Sequence, residues 1–495
     1  MSRDALFLVG GRLFQALLTV AALRLLTTLL SPVQVGSVYL MLSFAAWFGL
    51  FLVSPLGNYI NRKLYGWHQG SLIPARFRLF NLYVLAVAAL AFPLVFAAKQ
   101  FFGLGSGLPL GHFMAAVALY VYALTWNQTV IPALNLLNKR EAFVGFSVLS
   151  TGLGLALSCA FALYLGPTAY AWLYGQGLAF LAVYWLARVK LGSSTGSVPG
   201  GQGGFAVLTR DNLRGVWLFA GPLSVSALFM WFQTQSYRLI VERFAGPEFL
   251  GYLVIGLGIA SNLGGVTESL VQQLYFPEFY RRLHGSSEED RRQALAQLAG
   301  RALPVYLVLT AFTCALAPHL TRVLAAPQFH SAWKFLAVGA FIELFRMTTN
   351  IFSVTAHAEM KTVSLIKPFA VGGGATALAV LAVCLAGKQG LLVPAGMAAG
   401  GLVTLLLMRA AMGKLSRFPL DRGALLKSLA LALGFLPAFF WLRVESLAGS
   451  AAVLSVFSLY FVFAQWRLMA GLKGDSCTAA DAQADAEIKS FGAEA

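Results

Sequence analysis

The sequence predicts an all-α polytopic membrane protein of about fourteen transmembrane helices, arranged as two parallel six-helix repeats plus two C-terminal helices. Three observations lead there. The 495 residues are 58% hydrophobic and only 11% charged, with a mean hydropathy of +0.73; a water-soluble domain is about half apolar and a quarter charged. Apolar stretches long enough to cross roughly 30 Å of hydrocarbon, about 20 residues each, recur along the chain. Basic residues collect in every second gap between them.

In the first half the spans fall at about 10–30, 36–57, 79–98, 112–135, 142–165 and 168–187. Arg3 and Arg12 precede the first, but no small-residue cleavage site follows it, so it reads as an uncleaved span rather than a signal peptide. Pro32 and Gly36 separate it from the second, and the third, fifth and sixth contain no charged residue. In the second half the spans fall at about 216–241, 249–273, 303–325, 332–354, 363–386 and 390–408, and a final pair at about 424–442 and 447–466. The expected organisation is a six-helix bundle over 1–191, a cytoplasmic linker over 192–215 and a second bundle over 216–408. Two accessory helices over 409–473 and a disordered cytoplasmic tail over 474–495 complete it. Within the linker, 192–204 is rich in Gly and Ser. Ser286 and Glu289 have the spacing of a capping box, opening a helix whose Leu295 and Leu298 give it one apolar stripe at the cytoplasmic surface.

Placing both termini in the cytoplasm puts 22 basic residues in the even-numbered gaps and the span ends beside them, among them Arg62, Lys63, Arg76, Arg78, Lys139, Arg140, Arg188, Arg281, Arg282 and Arg301. The odd-numbered gaps and the span ends beside them hold five: Lys99, Arg243, Arg322, Lys388 and Arg443. That asymmetry sets the expected orientation in an inner membrane. It also accounts for the net charge of +17 without nucleic acid, since a nucleic-acid binder carries its basic residues as a patch on a soluble surface. Cys159, Cys314, Cys384 and Cys477 have no metal or redox spacing, and no cofactor is implied.

RLLTTLLSPVQVGSVYL, from Arg24, and RLIVERFAGPEFLGYLV, from Arg238, share Arg-Leu, a Pro eight or nine residues later, and then Gly and Tyr. One lies in the first span and the other in the seventh, so the two copies run the same way through the membrane.

The stretch GRLFQALLTVAALRLLTTLLSPVQVGSVYL, with SPLGNYINRKL at 54–64, resembles the polysaccharide-transport branch of the multidrug/oligosaccharidyl-lipid/polysaccharide exporter superfamily, whose best-known members are Wzx-type flippases. The resemblance is sharp over 11–65 and looser over 234–282. It implies two six-helix bundles around a cavity open alternately to each side, in a bacterial inner membrane. The implied cargo is a polyprenyl-pyrophosphate-linked glycan, flipped for cell-surface polysaccharide synthesis. Membrane lipid is then a partner, and a polysaccharide polymerase and export machinery are further candidate partners.

Intramembrane charge is costly and marks function or pairing. Arg24, Arg238, Lys334 and Arg346 lie within spans, and Lys334 is near enough an end to snorkel. Arginine offers bidentate donors to a pyrophosphate, which makes Arg24, Arg238 and Arg346 candidate substrate-binding residues. Asn127, Gln128 and Gln235 are candidates for hydrogen bonding to sugar, with interhelical bonding as the alternative for each. Glu268 and Glu343 are candidates for ion coupling or for ion pairing; Glu343 lies i,i+3 from Arg346, and Glu268 has Arg238 or Arg24 as possible partners. Trp126, Trp172 and Trp231 suit sugar stacking or simple packing. A cation-coupled exporter of small molecules is the alternative reading. A membrane-embedded polymerase is the third, disfavoured because no large external loop or acidic cluster is present. The chain is not expected to be an enzyme.

Overall fold

The computed structural model describes residues 3–69, 72–137, 139–192, 210–283, 287–359, 361–440 and 444–468, and among them there is no strand. α1 (Arg3–Leu29) is followed by α2 (Pro32–Trp47), which passes through a π-helical turn at Phe48–Val53 into α3 (Ser54–Gln69). Next come α4 (Ile73–Phe102), α5 (Leu110–Leu136), α6 (Arg140–Tyr164) and α7 (Ala169–Gly192). The second half holds α8 (Arg210–Thr234), α9 (Ser236–Leu283), α10 (Glu288–Ala315), α11 (Ala317–Leu324), α12 (Trp333–Ala358), α13 (Ile366–Leu385) and α14 (Leu392–Met412). The chain continues through α15 (Arg422–Ala432), α16 (Leu436–Phe440) and α17 (Leu447–Leu468).

Among the described residues, 11 helical runs are long and apolar enough to cross a membrane. The run Arg214–Leu283 supplies two crossings, because Gly246 (φ 87°, ψ 163°) leaves the helical region and splits α9 into two arms. Pro247 supports that break, since it has no N–H to continue a helix. α1, whose apolar stretch Leu17–Leu29 is shorter than these, and α7 (24 residues) are the helices at the other two positions where the sequence places spans. The chain is a multi-pass membrane protein.

Local chemistry explains most helix ends. Ser31 caps α2 with Pro32 at its first turn, and Gly103 ends α4 in the left-handed conformation (φ 66°). The π turn frees a backbone carbonyl at Leu52, which accepts the Tyr83 hydroxyl at 2.9 Å. The capping box of α10 is Ser287 with Asp290, one residue beyond the expected pair; Ser286 lies outside the described residues, as do most of the Gly-rich linker and the tail. Leu295 and Leu298 are 1% and 3% exposed, packed with Phe279, Ala294 and Val354. They belong to the buried start of the ninth span, not to a separate surface helix.

The chain forms two compact units. One comprises residues 1–255, 324–331 and 369–400; the other comprises 256–323, 332–368 and 401–495. The first has a core in which Trp126 stacks on Tyr184 at 5.0 Å and donates through Nε1 to Asn81 at 3.0 Å. Apolar side chains gain little by leaving lipid for protein, so close backbone approach matters more here. A Cβ on Gly175 of α7 would come within 2.5 Å of the Ser158 backbone on α6. The second unit is centred on Tyr306, Leu309, Met347 and Ile351.

The internal repeat is visible as contact within the first unit. A Cβ on Gly36 would overlap the carbonyl oxygen of Pro247, and a Cβ on Gly251 would overlap that of Pro32. Pro32 and Pro247, like Gly36 and Gly251, are 215 positions apart. Each copy of the turn therefore rests on the glycine of the other, as two-fold related copies must.

Candidate functional site

Arg238 lies in the first unit, four residues beyond the end of α8. The chain breaks helix at Gln235, and the Arg238 N–H bonds back to the Gln235 carbonyl at 3.1 Å. Its guanidinium sits 5.0 Å from the ring centre of Tyr39 and 5.5 Å from that of Tyr237, and its Nε donates to the Tyr237 hydroxyl at 3.1 Å. Among the described residues Arg238 has no carboxylate partner. Gln235 Oε1, buried beside it in sequence, has no hydrogen-bond partner. Two aromatic faces thus hold a cation whose remaining N–H groups are available to an anion.

Arg24 is engaged differently. Its guanidinium donates to the backbone carbonyl of Ala325, on the connection between α11 and α12. Asn127 acts between helices, donating to Ser150 at 2.8 Å and to the Phe180 carbonyl at 3.3 Å. Gln128, one residue on, is exposed. Trp126, Trp172 and Trp231 are 1%, 2% and 6% exposed, and Trp231 Nε1 donates to the Ser43 carbonyl at 3.1 Å. All three are packing residues.

In the second unit Arg346 pairs with both acidic candidates. Its Nε and terminal nitrogen reach Glu343 at 2.8 Å, and its other terminal nitrogen reaches Glu268 at 2.8 Å. Asn350 donates to the second oxygen of Glu268 at 2.7 Å. The i,i+3 pairing with Glu343 follows the expected spacing. Glu268, on α9, takes Arg346 rather than Arg24 or Arg238. On either side of Glu268, α9 leaves Asn262, Gln272 and Gln273 exposed within a membrane span, polar groups that are not suited to lipid. Lys334 is exposed at the start of α12.

Sequence reasoning did not single out Tyr39, Tyr237 or Asn350. Tyr237 precedes Arg238, and Asn350 lies i,i+4 from Arg346, so both were within reach of a search for partners on the same helix. Tyr39 lies on another helix and leaves no such trace.

No protein-family model matches the chain, and no curated protein sequence matches it. Among solved structures, the fold is shared over the full length with one described as lipid II flippase MurJ in an inward closed conformation. The TM-score is 0.70 at 13% identity, covering 96% of this chain and 100% of that one. An inward-facing multidrug resistance MATE family transporter of the MOP superfamily matches with a TM-score of 0.56 at 14% identity, covering 81% and 95%. The eukaryotic MATE transporter AtDTX14 matches with a TM-score of 0.52 at 13% identity, covering 86% and 99%.

Proposed function

We propose, from the fold shared with the multidrug/oligosaccharidyl-lipid/polysaccharide exporter superfamily, that this chain is a flippase. It moves a polyprenyl-pyrophosphate-linked oligosaccharide from the cytoplasmic to the periplasmic leaflet of the bacterial inner membrane, for cell-surface polysaccharide synthesis. The mechanism is alternating access, with cytoplasmic termini.

The observation that supports this cargo most is Arg238, a cation inside a membrane span with tyrosine rings and, among the described residues, no carboxylate to neutralise it. A pyrophosphate brings the missing negative charge and accepts several N–H donors at once. Arg24, Gln128 and Gln235 are assigned to the same cargo. Likeness to a lipid II flippase over both full lengths agrees with a lipid-linked substrate.

A second reading, a cation-coupled exporter of small molecules, draws on the second unit. There two carboxylates share one guanidinium, so the cluster of Glu268, Glu343 and Arg346 has an excess negative charge when all three are ionised.

The deciding experiment compares native cells with and without the gene. Lipid-linked oligosaccharides are extracted, and their sidedness is read with an impermeant labelling enzyme. Accumulation on the cytoplasmic face in the deletion is the expected result and identifies the glycan. An unchanged pool and sidedness, in cells still making their polysaccharide, moves the assignment to the exporter.

A further inference from the structure

α9 and α10 continue as helix past the ends of the spans that the sequence predicts at 249–273 and 303–325, and their extensions face each other within the second unit. Between the extensions is an open cleft of about 240 Å³. Its floor is apolar: Phe279, Ala294 and Leu298 are 3%, 4% and 3% exposed. Its walls carry two arginines, Arg282 of α9 and Arg301 of α10, with Glu278 between them. One oxygen of Glu278 accepts from Arg282, and the other accepts from Arg301 at 3.1 Å. Arg282 also donates to Gln297, and the Arg301 guanidinium lies 5.7 Å from the ring centre of Tyr275.

Charge and depth distinguish this cleft from a simple tie between two helices. Two guanidiniums against one carboxylate leave it one positive charge in excess. An arginine has five N–H donors; among the described residues Arg282 donates through two nitrogens and Arg301 through one. The Arg301 side chain is only 17% exposed, so its charge is partly withdrawn from water and gains more from an anion. Glu278 and Arg301 lie five and two residues beyond the predicted span ends, about 7 Å and 3 Å at the helical rise. That is the depth of lipid head groups. Gln465 of α17 donates to the Val305 carbonyl at 3.3 Å. Towards the even-numbered connections, Arg301 is one turn from Val305, and exposed Trp466 and Arg467 follow Gln465. An aromatic ring and a further cation therefore end α17 at the level of the cleft. Asp421, whose side chain a Cβ on Gly300 would meet at 3.5 Å, is engaged in capping α15: it accepts the Ala424 N–H at 2.9 Å.

We propose that the cleft binds the phosphate of an anionic phospholipid, such as phosphatidylglycerol, from the leaflet that borders the even-numbered connections. The phosphodiester takes N–H groups from Arg282 and Arg301 and supplies the one negative charge that the cleft lacks. Basic clefts between spans on the face rich in Lys and Arg suit anionic head groups in this way. Its acyl chains stay in the bilayer. Glu278 sets the strength of binding, because it competes with the phosphate for the same two guanidiniums. The site contains neither Arg238 nor the cluster of Arg346, and the proposal requires only that the chain lies in a membrane, not that it is a flippase.

The test uses the purified full-length chain in mixed micelles, with retained lipid counted by native mass spectrometry. Phosphatidylglycerol is titrated against phosphatidylcholine with the same acyl chains, and inorganic phosphate is added in a separate arm. The protein is expected to retain one phosphatidylglycerol at a mole fraction roughly ten-fold or more below that needed for phosphatidylcholine, from two arginines at about five-fold each. Arg282→Gln, at the exposed rim of the cleft, should raise that mole fraction about five-fold. Arg301→Lys, which keeps the charge and loses the planar fork, should raise it less. Glu278→Gln should lower it about five-fold by freeing both guanidiniums, whereas an ion pair that only ties the helices would bind no lipid more tightly when broken. Arg281→Gln removes the same charge from the neighbouring exposed position and should change nothing. Equal retention of the two lipids, weaker retention in Glu278→Gln, or equal losses in Arg281→Gln and Arg282→Gln would each overturn the proposal. Displacement of the retained lipid by inorganic phosphate at matched concentration would assign the cleft to free phosphate and overturn the lipid. Transport is not read in this assay, so its outcome is separate from that of the sidedness experiment.

Discussion

Replacing Arg346 with Met would strand Glu268 and Glu343, whose side chains are only 12% and 11% exposed. Breaking such a buried pair costs about 3–5 kcal/mol, whereas removing every charge together is often near neutral. Arg346→Met is therefore expected to lower the unfolding temperature of the purified protein markedly. Adding Glu268→Gln and Glu343→Gln should restore most of it; a triple variant as unstable as the single would show that the ion pairs do not set the effect. Arg238 is different, having no carboxylate partner among the described residues to strand. Arg238→Gln should leave the fold intact and cut transport about 10- to 100-fold, the value of a charge-assisted hydrogen bond pair. Arg238→Lys should keep part of it by retaining the charge over Tyr39. Equal transport in all three proteins, read by cargo sidedness, would remove Arg238 from the site. At this scale the sequence was partly legible. Glu343 announced its partner by i,i+3 spacing, but Arg24 bonds to a backbone carbonyl, and a carbonyl has no signature in a sequence.

Helix α6 allows a direct comparison of two glycine environments. Gly175 of α7 faces the Ser158 backbone on α6, so Gly175→Ala must push the two helices apart and should destabilise by about 1–3 kcal/mol. Gly145, on α6 itself, has open space where a Cβ would go. Gly145→Ala should be neutral or stabilising by up to about 1 kcal/mol, through helix propensity. Thermal unfolding of both variants checks the pair, and equal shifts would contradict the packing argument. The span boundaries were legible because apolar length and glycine or proline punctuation mark them, as at Gly246 and Pro247. The π turn at Phe48–Val53 was not: Gly49 within it and Pro55 just beyond it weaken the helix there, but neither specifies a π turn, which also receives the Tyr83 hydroxyl from another span. The capping box was misplaced by one residue because Ser286 and Ser287 are adjacent, and only backbone geometry distinguishes them.

All the odd-numbered connections but the last lie within the first unit. There Gln34 accepts the Ala169 N–H at 2.8 Å, and Gln389 donates to the Phe244 carbonyl at 3.1 Å. Spans that alternate in direction bring alternate connections to one face, and the same connections are the ones poor in Lys and Arg. The expected orientation follows: a single cysteine at Lys139 should be labelled only from the cytoplasm and one at Lys388 only from outside. Labelling of both from one side would overturn the span count between them. The repeat itself was legible through Arg24 and Arg238, but that pair is 214 residues apart, one short of the separation the contacts follow. Matching on arginine hid a second pair at the separation of 215, Thr27 and Glu242, which accept the backbone N–H of Ala326 and of Gly105.

The glycine contacts at Gly36 and Gly251 form an isologous set, closed on itself like the interface of a symmetric dimer. A half-length chain able to make one of these contacts would complete the pair with a second copy of itself, inserted in the same orientation. Seen in that way, a change on one side of the contact is best compensated at its counterpart on the other.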